Sequence, residues 1–69
     1  MAGAITVEQL RAEHPGWNIR RTGWAKATRT GRRLTTEELA AGLAETLIED
    51  DLETLAAALA DQAGREAGR

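Results

Sequence analysis

Side chains able to carry catalysis are sparse in this chain. Its 69 residues include one histidine, His14, no cysteine and eleven acids. His14 stands before Pro15 at an expected helix end, where an imidazolium favours the helix carbonyls over any substrate. A metal site would require His14 to recruit carboxylates, and no ligand-spaced motif is present. The nine acids after residue 33 fall on expected helix caps and solvated faces, with no pair set up for general acid–base work. Gly31-Arg32-Arg33 lacks the length and the lysine of a P-loop. The expectation is therefore no catalytic residue, no metal and no cofactor: the chain is read as not an enzyme.

The stretch GWNIRRTGWAKATRTGRR, residues 16–33, is different. It holds both tryptophans and six of the nine basic residues, with no acid. An indole beside guanidinium groups can anchor a protein interface, where Trp and Arg are common hot-spot residues. It can also stack a nucleic-acid base while the cations meet phosphates. Or it can do neither, with Arg20 and Arg29 stacking on Trp24 inside the molecule and the remaining charge discouraging sheet aggregation. Arg20, Arg21, Trp24, Lys26, Arg29, Arg32 and Arg33 are the candidate partner-binding residues. A protein partner is favoured over nucleic acid because the pI of about 5.3 is acidic and no recognition-helix pattern is present.

These side chains need elements to position them. Ile5-Thr6-Val7-Glu8-Gln9-Leu10 and Leu34-Thr35-Thr36-Glu37-Glu38-Leu39 are near copies, and each reads as a capped helix start. Thr6 and Thr35 are the N-caps, Gln9 and Glu38 reach back, and Ile5–Leu10 and Leu34–Leu39 are hydrophobic staples. The first helix is expected over about Val7–Glu13, ended by Pro15. Trp17–Arg20 and residues 24–29 read as two antiparallel strands joined by Arg21-Thr22-Gly23. Pairing Arg20 with Trp24 and Ile19 with Ala25 puts Trp17, Ile19, Ala25 and Ala27 on a core face. Asn18, Arg20, Trp24, Lys26 and Thr28 take the outer face.

Beyond residue 35 the apolar spacing is helical. Leu39, Leu43 and Leu47 form one stripe, and Ile48, Leu52, Leu55 and Leu59 an opposed one. A break at Glu49-Asp50-Asp51, with Asp50 and Glu53 as a capping box, divides the region into helices over about 36–48 and 51–63. One long helix buried on both sides in a dimer is the alternative. The fold class is α+β: a short N-terminal helix, a two-stranded hairpin and two C-terminal helices. All 69 residues form a single small domain, with 1–4 and 64–69 frayed.

Fourteen of the 29 hydrophobic residues are alanine, and Phe and Tyr are absent. So thin a core supplies only ~3–5 kcal/mol in a chain this short, which makes a homodimer the third reading. Residues 1–33 carry a net +5 and residues 34–69 a net −7, so the halves attract each other within roughly a Debye length. MAGAITVEQL has no basic start followed by an apolar run, and no apolar run approaches membrane-spanning length. The chain is therefore expected to be cytoplasmic, with no membrane partner.

The order Leu10-Arg11, Pro15-Gly16-Trp17, Ile19, then Gly23-Trp24-Ala25, Ala27-Thr28-Arg29, then Leu34-Thr35 with Glu37-Glu38-Leu39, resembles a group of short uncharacterised actinobacterial proteins. The resemblance covers about residues 10–45. It implies a W-x-I strand and a W-x-A strand forming a hairpin ahead of a helix, and it carries no assigned activity or site residue.

Overall fold

A computed structural model describes residues 4–31 and 33–67. Along the chain these form α1 (Val7–Glu13), β1 (Trp17–Arg21), β2 (Ala25–Arg29), α2 (Thr36–Ala40), β3 (Thr46–Glu49) and α3 (Leu52–Ala67). The strands make one antiparallel sheet in the order β1-β2-β3. The fold is α+β, and its sheet has a third strand where helix was expected.

The hairpin is built by period-two patterning. Trp17, Ile19, Ala25 and Ala27 are all buried, while Asn18, Arg20 and Lys26 are exposed. The faces are as expected but the register is not: Ile19 lies opposite Ala27 and Arg21 opposite Ala25. The turn is Thr22-Gly23-Trp24, closed by the Thr22 N–H donating to the Trp24 carbonyl at 3.1 Å, with Gly23 at φ +84 in its centre. A shift of two residues preserves both faces, so the apolar pattern could not distinguish the registers. The glycine is wanted one position earlier in the turn than a terminal left-handed residue would place it.

Ala25 and Ala27 sit on the central strand, and their small side chains leave room for Leu55 and Leu59 of α3. Leu10 of α1, Trp17 and Ile19 complete the buried cluster. Ile5, Val7, Leu47, Leu52 and Ala56 close its margin. The helices α1 and α3 pack on this one face of the sheet.

The helix expected over 36–48 stops at Ala40. Gly42 has φ +94; its N–H donates to Leu39 O and the Leu43 N–H to Glu38 O, both at 3.1 Å. This is a Schellman stop, which uses glycine in the left-handed conformation just past the helix. Thr46-Leu47-Ile48-Glu49 then pairs with β2, a strand suited to its β-branched Thr and Ile. Leu39, assigned to a helical spine with Leu43 and Leu47, is 50% exposed.

The helix starts are partly as expected. Thr35 and Glu38 form the complete capping box, but Thr6 forms only half of one. Gln9 turns its side chain to Glu13 instead, at 3.5 Å. The break before α3 is real, and its cap is Asp51 rather than Asp50: Asp51 Oδ1 accepts from the Thr54 N–H at 2.7 Å. Of the ends expected to fray, residues 1–3 and 68–69 lie outside the described residues, whereas 64–67 continue α3.

Candidate functional site

The helices leave the other sheet face open. Its strand positions are Asn18, Arg20, Lys26, Thr28, Thr46 and Ile48, none of them buried and none acidic. Arg20 lies directly opposite Lys26, and Lys26 opposite Ile48. Trp24, at the end of the turn, is 61% exposed and Ile48 is 55% exposed. Thr22, Trp24, Lys26 and Ile48 line a shallow hollow of about 320 Å³. Asn18, Arg20, Lys26 and Thr28 line a second, of about 170 Å³.

Three of the candidate residues, Arg20, Trp24 and Lys26, therefore meet on one surface. Arg21 does not join them. It follows Trp17 and Ile19 in the period of two, on the side away from Arg20 and Lys26, and borders a hollow with Ile5, Asp51, Leu52 and Glu53. The Asp51 carboxyl is held below its usual value of 3.8, chiefly by the Thr54 backbone N–H, then by the Thr54 side chain, with the Arg21 charge adding to the effect. Arg33 is exposed and borders a hollow with Thr28, Glu45 and Thr46. Arg32 lies outside the described residues.

Arg29 belongs to the interior side. It follows Ala25 and Ala27 in the period of two, and its guanidinium lies 4.4 Å from the Trp17 ring centroid. Its Nε donates to Ala44 O at 2.7 Å, its Nη2 to Gln62 Oε1 at 2.9 Å, and its Nη1 to Glu66 Oε1 at 3.0 Å. Gln62, itself buried, also accepts from the Ala44 N–H and donates to Gly42 O, at 2.9 and 3.1 Å. These bonds bind β2, the loop before β3 and α3 into one unit. The intramolecular cation–π contact weighed as one alternative at Trp24 is found instead for Arg29 at Trp17.

Sequence reasoning missed Ile48 as a site residue because it had been placed in a helix. Gly42 was the signal for the stop, and the alternation of exposed Thr46 and Ile48 with half-buried Leu47 and Glu49 was the signal for the strand. The polar hub at Gln62 had no local signal, since its partners lie 18 to 33 residues away in sequence.

Among the described residues no group of three or more His, Cys, Asp or Glu side chains could hold a metal ion, and no helix is long and apolar enough to cross a membrane. His14 is the C-cap of α1, its backbone N–H donating to Leu10 O. No protein-family model matches the chain, and no significant match is found among curated proteins or solved structures.

Proposed function

We propose that the protein is a small non-enzymatic binding module that docks a protein partner on the open sheet face. Arg20, Trp24, Lys26 and Ile48 carry the contact. The supporting observation is the adjacency of two large exposed apolar side chains, Trp24 and Ile48, to Arg20 and Lys26 on a face that α1 and α3 leave uncovered. Exposed apolar patches rimmed by polar residues are characteristic of protein contact sites, and Trp and Arg supply the largest losses when truncated. The module acts as an accessory that modulates its partner by occupancy.

The test is chemical cross-linking in source cells with the wild type, Trp24→Ala and Lys26→Glu, each checked for native circular dichroism. A partner retained by both folded variants would remove the reading. The same face supports nucleic acid as a second reading, because an exposed indole flanked by two cations suits base stacking with phosphate contact. Labelled single-stranded and duplex DNA titrated at two salt concentrations separates the two. Binding that weakens steeply with salt, and is lost in Trp24→Ala, would transfer the site to nucleic acid.

A further inference from the structure

The two edges of the sheet are finished differently. On β1 the outward-pointing Ile19 carbonyl accepts from Arg11 Nε at 3.1 Å and Nη2 at 2.9 Å. A side chain from α1 thus occupies that edge. On β3 the phase is set by the Arg29 N–H donating to Glu45 O at 2.8 Å. Residues 45, 47 and 49 therefore bond toward β2, and the N–H and C=O groups of Thr46 and Ile48 point away from the sheet. Among the described residues no hydrogen bond reaches Thr46 or Ile48 from outside the sheet. Neither lysine nor proline, the usual edge guards, occurs in β3.

We infer that this edge takes an added strand from a partner protein, an extended segment in which basic and aliphatic residues alternate. Main-chain bonds to Thr46 and Ile48 supply the attachment. The side-chain pattern follows from the pleat. Aliphatic residues of the incoming segment lie on the open face beside Ile48 and the hollow it shares with Trp24 and Lys26. Basic residues lie on the other face, toward half-buried Glu49 and toward half-buried Glu45, whose Oε2 also accepts from the Leu34 N–H at 3.2 Å. A second copy of the chain fits poorly, because two-fold pairing of Thr46 with Ile48 sets Glu45 opposite Glu49 at both ends of the ladder. Like charges opposite one another destabilise a strand pair. This edge borders the face proposed to dock a partner and shares Ile48 and its hollow with it; what is separate is the main-chain attachment at Thr46 and Ile48, which Trp24→Ala leaves intact.

The probe is a fluorescein-labelled short peptide of alternating Lys and Val, added to the full chain, with amide NMR shifts as the second readout. The expected result is binding with shifts centred on residues 46–50. Methylating alternate peptide nitrogens should weaken it at least about tenfold, through lost main-chain bonds. A Glu–Val peptide of the same length should not bind. Ile48→Pro should weaken the Lys–Val peptide comparably, since it deletes an edge N–H while sparing the bonds to β2. If that variant fails to fold, the methylated peptide decides. Equal binding of the methylated peptide, shifts confined to α3, absence of binding at about 1 mM (a free energy near −4 kcal/mol), or a concentration-dependent dimer with shifts at β3 would each overturn the assignment.

Discussion

Trp17 and Arg29 are cross-strand partners on the core face of the hairpin, with the guanidinium 4.4 Å from the indole centroid. Because the Arg29 N–H is directed to Glu45 on the opposite neighbour, this is a non-hydrogen-bonded pair, the kind in which side chains approach most closely. The arginine side chain is 11% exposed, and each of its three nitrogens donates once, to Ala44, Gln62 and Glu66. One tryptophan–arginine pairing in the basic stretch is therefore a fastening between β1, β2 and α3. What remains for contact with other molecules is the second tryptophan.

Replacing Arg29 by alanine should destabilise the fold by roughly 2–4 kcal/mol, from lost charge-assisted bonds and a buried Gln62 left short of a partner. For a chain this short each kcal/mol lowers Tm by about 4–8 °C, so a thermal melt reads the effect directly. Arg29→Lys should not restore stability, because a single ammonium cannot stack and reach three acceptors in one plane. A melt of Arg29→Ala within about 2 °C of wild type would contradict the fastening role, since that is below the shift expected from 1 kcal/mol.

Gly42→Ala should destabilise by about 1–3 kcal/mol, the usual cost of holding a side-chain-bearing residue at an unfavourable φ. A Cβ there would also meet Arg65 Nη1 at 2.5 Å, but that atom ends a flexible side chain and can move. The loss should therefore persist when Arg65→Ala is added. Full rescue by the second substitution, seen in urea titrations, would assign the cost to the collision instead of the backbone. Gly42→Asn should lose less than Gly42→Ala, as asparagine tolerates the left-handed region better.

The same glycine marks where reading the sequence succeeded and where it stopped. Local signals carried well: Thr6, Thr35 and Pro15 set helix ends, and alternation sorted Trp17, Ile19, Ala25 and Ala27 from Asn18, Arg20 and Lys26. The register did not carry, since a two-residue shift leaves every face unchanged. At 42–49 two patterns competed, with Leu39, Leu43 and Leu47 at helical spacing and Thr46–Glu49 at strand spacing. The helix stop at Gly42 and pairing with β2 resolved it toward strand, which also created the open face around Ile48. Arg29 was misplaced on the outer surface although the period of two already put it with Ala25 and Ala27. Its partners Gln62 and Glu66 are 33 and 37 residues away, a separation over which spacing rules say nothing.

Acid should weaken the start of α3 in a way that one residue controls. The Asp51 carboxyl is lowered from 3.8, first by the Thr54 backbone N–H and then by its side chain. A carboxyl with a depressed folded value stabilises the fold fully above its unfolded value and loses that contribution as pH falls through the folded one. Stability should accordingly drop below about pH 4. Asp51→Asn, which still caps the helix, should flatten that part of the profile. A carbon-detected titration placing the Asp51 midpoint at or above 3.8 would remove the basis for this expectation.

The two tryptophans should separate cleanly by fluorescence, and this divides folding from contact within the basic stretch. Trp17 is buried beneath the Arg29 guanidinium, whereas Trp24 is 61% exposed beside Lys26 and Ile48. In Trp17→Phe the remaining Trp24 should emit toward the red and be quenched strongly by iodide, which Arg20 and Lys26 draw to that face. In Trp24→Phe the remaining Trp17 should emit toward the blue and resist quenching. Stability should follow the same division, with Trp17→Ala costing about 3–5 kcal/mol as a core truncation and Trp24→Ala staying within about 0.5 kcal/mol as a surface change. Equal quenching of the two single-tryptophan variants, or unfolding of Trp24→Ala, would place Trp24 in the core and leave the open face without its anchor.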